Sequence, residues 1–284
     1  AVCSLQTAIL IFFNYHNGLE SLLTGHQILG WHGFTGHYVL FATAFILPYV
    51  YYQSIERKFS VVAKPFLFLL VAAPAIFSLK MAMYTQLSFS DNNNWNAYWN
   101  QVYYWPVRLL MIISILLLIW KTFDSDQSFY GLTMKKFKWQ PYFIMLLCML
   151  PLIIAASTQP DFLSMYPKIK SVLHIGHSIQ LSWLHKLFFE LSYGSDFISI
   201  EIFFRGFLIL AFIKWAGPNS ILPMACFYCT IHFGKPLGEC ISSYFGGLLL
   251  GIIVYNTRSI YGGLIIHMGI AWLMEIGGYI GNAL

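Results

Sequence analysis

Apolar residues run along this chain in long blocks separated by short polar segments. The blocks cover approximately residues 38–52, 65–84, 105–120, 141–156, 197–215, 221–233, 241–255 and 261–280. A helix of about 20 apolar residues crosses a bilayer, and inside hydrocarbon only helices and closed barrels satisfy their own backbone. The pattern predicts an all-α fold, a polytopic transmembrane helical bundle of about eight spans. The stretch 174–193 reads differently: His174, His177, Gln180, His185, Lys186 and Glu190 mix with Leu, Trp and Phe at helical spacing, as in an amphipathic helix lying in the membrane interface. An earlier apolar stretch, 8–13, is too short to be a span.

Composition sharpens this. The chain is 58% hydrophobic, 18% aromatic and only 10% charged, against about 25% charge in soluble domains. That excludes an ordinary soluble enzyme, a disordered chain and a nucleic-acid binder. The net charge of +5 reports topology, because basic loops stay cytoplasmic. Arg57, Lys58 and Lys64 share one loop, and Lys135, Lys136 and Lys138 the next but one. The intervening segment 88–104 has Asp91 and no Lys or Arg. Both basic loops are therefore expected in the cytoplasm. If 174–193 does not cross, alternation puts Lys214 and Arg258 there too. Five cysteines, four of them in or beside apolar blocks, behave as small hydrophobes and imply no disulfide framework.

Chemistry divides the chain into N-terminal helices of unassigned role, 1–173, and a core, 174–284, that carries the polar residues. Glu201, Arg205, His232, Glu239, His267 and Glu275 lie in or beside apolar helices. Such residues are expensive in a membrane and face the bundle interior. Glu201 and Arg205 are four apart, on one helix face, and suit an ion pair that serves either packing register or chemistry. His232 ends a 13-residue apolar run broken by the segment from Gly234 to Gly238. That run is about 20 Å long, too short to cross upright, so His232 and Glu239 are expected to border a wet pocket. His267 sits in the last block, after Gly262 and Gly263. Two imidazoles and a carboxylate, His232, His267 and Glu239, can hold a divalent metal such as zinc or activate a water. Cys226-x-x-Cys229 followed by His232 is a weaker redox or metal signal, and the early histidines His16, His26, His32 and His37 suit an interface.

The segments from Glu201 to Gly206, Tyr228 to His232, His232-Phe-Gly-Lys-Pro-Leu-Gly-Glu239 and Gly263 to His267 resemble, in order and spacing, the CPBP family, the CAAX-protease and bacteriocin-processing intramembrane peptidases. The resemblance covers roughly 197–284. It implies an intramembrane endopeptidase in which Glu and His activate a water, with or without metal. Glu201 and Arg205 match the second Glu and the Arg of a Glu-Glu-x-x-x-Arg motif, His232 the middle His, and His267 the His of His-x-x-x-Asn. The first Glu position is Ile200 here, the Asn position is Ala271, and the aromatic before His232 is Tyr228 rather than Phe. Either another carboxylate takes over, Glu239 first, then Glu201, then Glu275, or the chain is a non-catalytic membrane subunit or immunity-type partner. The expected setting is a bacterial inner membrane. The expected partners are the lipid bilayer, a membrane-bound peptide or protein substrate and a membrane protein, with no nucleic acid.

Overall fold

The structure, a computed structural model, describes residues 2–26, 29–54, 63–83, 86–135, 137–173 and 181–283. Arg57, Lys58, Lys136, His174, His177 and Gln180 lie outside the described residues. Among those described there are thirteen α-helices, two 3₁₀ turns, one π-helix and no strand, so the fold is all-α. In chain order the helices are α1 (Val2–Asn17), α2 (Leu19–Thr24), α3 (Gly30–Ser54), α4 (Lys64–Ala82), α5 (Asn93–Phe123), α6 (Gln140–Ala156) and α7 (Pro160–Met165). They continue with α8 (Lys170–Leu173), α9 (Trp183–Glu201), the π-helix Ile202–Ala211, α10 (Ile213–Ala216), α11 (Ile221–Thr230), α12 (Leu237–Thr257) and α13 (Tyr261–Gly281).

Five of these, α3, α4, α5, α12 and α13, are long and apolar enough to cross a membrane, and α6 is a shorter apolar helix. The remaining predicted spans take other forms. Block 197–215 is shared between the end of α9, the π-helix and α10, and block 221–233 is the ten-residue α11. The sequence boundary expected at Tyr193 is absent, because α9 runs on without interruption to Glu201. Its first turns expose Trp183, Leu184, Leu187, Phe188 and Leu191 while Phe189 is buried.

The chain folds as two compact units. The first comprises Ala1–Tyr84, Ile112–Lys135 and Ile202–Ile260, the second Thr85–Met111, Lys136–Glu201 and Tyr261–Leu284. The first unit is built around aromatic rings. Phe77 meets Phe41, Phe203, Phe204 and Phe227 at centroid distances of 4.9–5.9 Å, in the tilted and edge-to-face geometries that ring quadrupoles favour. Gly206 in the π-helix has the Tyr130 carbonyl where a Cβ would point, so a side chain there would push the 3₁₀ turn Phe129–Gly131 away.

One end of this unit collects the basic residues. Lys214 Nζ donates to Phe123 O at 2.8 Å and pairs with Asp124 at 2.7 Å. Ile260 N–H donates to Gly131 O at 3.0 Å, the Ser259 hydroxyl donates to Thr133 O at 2.6 Å, and the Phe66 ring lies on Trp215. These contacts bring Lys64, Lys121, Lys135, Lys214 and Arg258 to the same end of this unit.

In the second unit, α13 packs on α6, α7 and α9 through glycines. A Cβ at Gly262 would strike the Tyr142 ring, one at Gly269 the Leu146 side chain, and one at Gly278 the backbone of Tyr166 and Pro167. Membrane helices associate by such close backbone approach.

Candidate active site

In the second unit, Glu201 at the end of α9 meets His267 on α13. The two are 66 residues apart, with His267 Nδ1 at 2.9 Å from Glu201 Oε1. The Glu201 side chain is fully buried and that of His267 is 14% exposed. Gly263, one turn before His267, makes the approach possible. A Cβ there would fall well inside contact distance of Glu201 Oε2, so only glycine leaves room for the carboxylate. Phe197, one turn before Glu201, lies edge-on to the imidazole, with a centroid distance of 4.7 Å and an interplanar angle of 69°.

This geometry fixes the imidazole's proton. A carboxylate oxygen only accepts, so Nδ1 carries the hydrogen and Nε2 becomes the basic atom of the neutral ring. A buried carboxylate behind a histidine also stabilises the imidazolium that forms when Nε2 takes a proton.

In the first unit, Tyr228 on α11 organises two motif residues. The Arg205 guanidinium lies over the Tyr228 ring at 3.8 Å, a cation–π arrangement that holds a buried charge against an electron-rich face. His232, in the turn after α11, donates from Nδ1 to the Tyr228 carbonyl at 3.0 Å, and its ring lies 4.8 Å from the Tyr228 ring. The carbonyl again dictates the tautomer, with Nε2 as the acceptor. Gly247 on α12 sits against the Tyr228 ring. The chain turns between α11 and α12 at Gly234, whose φ of +79° lies in the left-handed region that glycine adopts without strain.

The expected break after α11 is therefore present, and α11 is shorter than the run that predicted it. Its ten residues span about 15 Å. Glu239, in the first turn of α12, is held by Lys235 in an i,i+4 ion pair. Glu275 lies in the second unit, where its Oε2 accepts the Lys168 backbone N–H at 2.9 Å.

Of the sequence candidates, the structure thus joins Glu201 to His267 and sets Arg205 over, and His232 edge-on to, one tyrosine, Tyr228. Two contacts were not evident in the sequence, Phe197 against His267 and Tyr228 as the support for Arg205. Phe197 shows in the sequence only through its i+4 spacing to Glu201, whereas Tyr228 already stands out as the aromatic position before His232. Among the described residues, neither unit gathers three His, Cys, Asp or Glu side chains in a metal-holding set.

Residues 173–273 match the family model described as type II CAAX prenyl endopeptidase Rce1-like. Glu201, Arg205, His232, Glu239 and His267 all fall within the matched stretch, which agrees with the resemblance read from the motifs. No curated protein and no solved structure matches the chain. Residues 173–273 are thus similar to the CAAX-protease kind, and with its long apolar helices the chain is an integral membrane protein.

Proposed function

We propose that this protein is an intramembrane endopeptidase of a bacterial inner membrane that hydrolyses a membrane-associated peptide or protein, with His267 as general base and Glu201 as its orienting carboxylate. The observation that carries the proposal is the 2.9 Å hydrogen bond between His267 Nδ1 and a fully buried Glu201. His267 Nε2 takes a proton from water, the hydroxide attacks the scissile carbonyl, and the imidazolium returns the proton to the leaving amine. Glu201 keeps the ring in the required tautomer and offsets its transient positive charge. This role differs from that of the first Glu in the family motif, whose position Ile200 occupies. His232 and Arg205 enter the proposal through their motif positions.

A second reading has its own support. Ile200 is 9% and Ala271 4% exposed, so both departures from the motif are buried apolar side chains. A non-catalytic membrane subunit or immunity-type partner would keep the packing and lose the chemistry in this way.

The deciding experiment is mass-spectrometric detection of cleavage products from a membrane-peptide library, comparing the wild type with His232→Ala and His267→Ala, with and without chelator. Products that disappear in the His267→Ala variant support the peptidase. Loss in His232→Ala extends the site to that residue, and loss with chelator assigns a metal. No products from well-folded wild-type protein would establish the non-catalytic reading.

A further inference from the structure

The first unit buries two pairs of cysteines that the proposed function does not use. Cys3 lies beside Cys226, and Cys229 beside Cys240 with sulfurs 3.7 Å apart. The second pair joins the last turn of α11 to the first turn of α12. Cys229 Sγ lies 3.4 Å from the Cys240 carbonyl oxygen, and Cys240 Sγ 3.8 Å from that of Cys229. The two backbones therefore face each other across the sulfurs. A disulfide requires about 2.05 Å, so closure asks for about 1.7 Å of movement shared between two side chains.

Position within the unit supplies an independent argument. Cys240 precedes Arg258, at the basic end, by 258 − 240 = 18 residues of nearly continuous helix, or about 27 Å. That is close to the roughly 30 Å of a hydrocarbon core. With the basic end in the cytoplasm, the Cys229–Cys240 pair lies near the opposite face, where disulfides form and persist. Tyr15 lies over Cys240. The Tyr15 hydroxyl lies against Cys240 Sγ and donates to Lys235 O at 2.5 Å, while the tyrosine is 38% exposed.

We propose that Cys229 and Cys240 are a redox-active dithiol, closed to a disulfide by exchange with an external disulfide when Tyr15 moves aside. One thiolate attacks the external disulfide and expels one thiol; the second thiolate attacks the mixed disulfide and expels the other. The two cysteines lose two hydrogens, and the reagent leaves as two thiols. The bond ties α11 to α12 across the turn that carries His232. The inference is independent of peptidase activity.

The test uses the full chain in membranes treated with oxidised glutathione, blocked with a maleimide and digested with chymotrypsin without reduction. Cleavage after Phe233 or Leu237 separates the two cysteines, so the expected product is a linked peptide pair that reduction releases. It should be absent from Cys229→Ser, and it should form faster in Tyr15→Ala. Glutathione adducts on either cysteine without the linked pair would overturn the proposal, since the thiols would then be reachable but unable to join. Both cysteines carrying only maleimide, in the wild type and in Tyr15→Ala alike, would overturn it as well.

Discussion

His267 Nδ1 hydrogen-bonds to Glu201 Oε1 at 2.9 Å across the packed faces of α13 and α9, while the other carboxylate oxygen rests over Gly263. The contact therefore depends on helix register as much as on the two side chains. A one-residue shift of α13 that brought Leu264 into Gly263's place would set a larger side chain against the carboxylate. A buried carboxylate is costly unless a partner satisfies it, and here the imidazole serves that need while being held in one tautomer.

Exchanging residues of this pair separates orientation from base chemistry. Glu201→Gln keeps an oxygen that accepts from Nδ1 but removes the negative charge behind the ring. Cleavage is expected to fall about 10²–10⁴-fold, the usual range for general-base assistance, and His267→Ala should fall to background. Both variants should keep the wild-type elution volume on size exclusion in detergent. Wild-type turnover in the two would remove this pair from the reaction.

The helical membrane fold was legible because the apolar blocks leave no other way to satisfy the backbone. The polar residues Glu201, Arg205, His232 and His267 were legible as buried because they sit within those blocks. Their partners were not. Glu201 bonds His267, 66 residues away, and no local period encodes that distance. Helix length was less legible: an apolar block of 13 residues fixes burial but not length, and α11 stops at Thr230 where the turn through Gly234 begins.

Gly263→Ala tests the register argument. Its methyl would fall well inside contact distance of the buried carboxylate, which must then shift, so a loss of about 1–3 kcal/mol is expected, as in other overpacked interiors, together with loss of cleavage. Gly246→Ala is the control, since nothing lies within 4 Å of a Cβ there. A helical Gly→Ala change at an open position should be neutral or stabilise by up to about 1 kcal/mol. Thermal unfolding in detergent distinguishes them. Equal midpoints for the two variants would show that Gly263 does not limit the approach.

At the basic end, Tyr130 donates to Asp124 at 2.9 Å, and burial, then the Asp124 charge, raises its pKa above the ordinary tyrosine value. A phenol whose pKa is higher folded than unfolded contributes stability at lower pH and loses it as pH rises from the unfolded value toward the folded one. Wild-type stability should therefore fall through the alkaline range, and Tyr130→Phe should reduce that slope while lowering stability at neutral pH by about 1 kcal/mol for the lost hydrogen bond. Chemical denaturation at neutral and alkaline pH provides the measurement, and equal slopes would contradict the assignment.

The orientation of the chain can be tested on a single helix. α5 has 31 residues, about 46 Å at 1.5 Å per residue, so its two ends emerge on opposite sides of any bilayer it crosses. Asn92 precedes it and Ser125 follows it, and both are exposed. Ser125 stands beside the end where Lys64, Lys121, Lys135, Lys214 and Arg258 collect, which the positive-inside rule assigns to the cytoplasm. In a Cys148→Ser background, which removes the exposed cysteine, Asn92→Cys should react with an impermeant maleimide in intact cells. Ser125→Cys should react only after lysis. The reverse pattern would invert the topology and place the Cys229–Cys240 pair toward the reducing compartment, where its disulfide would not persist.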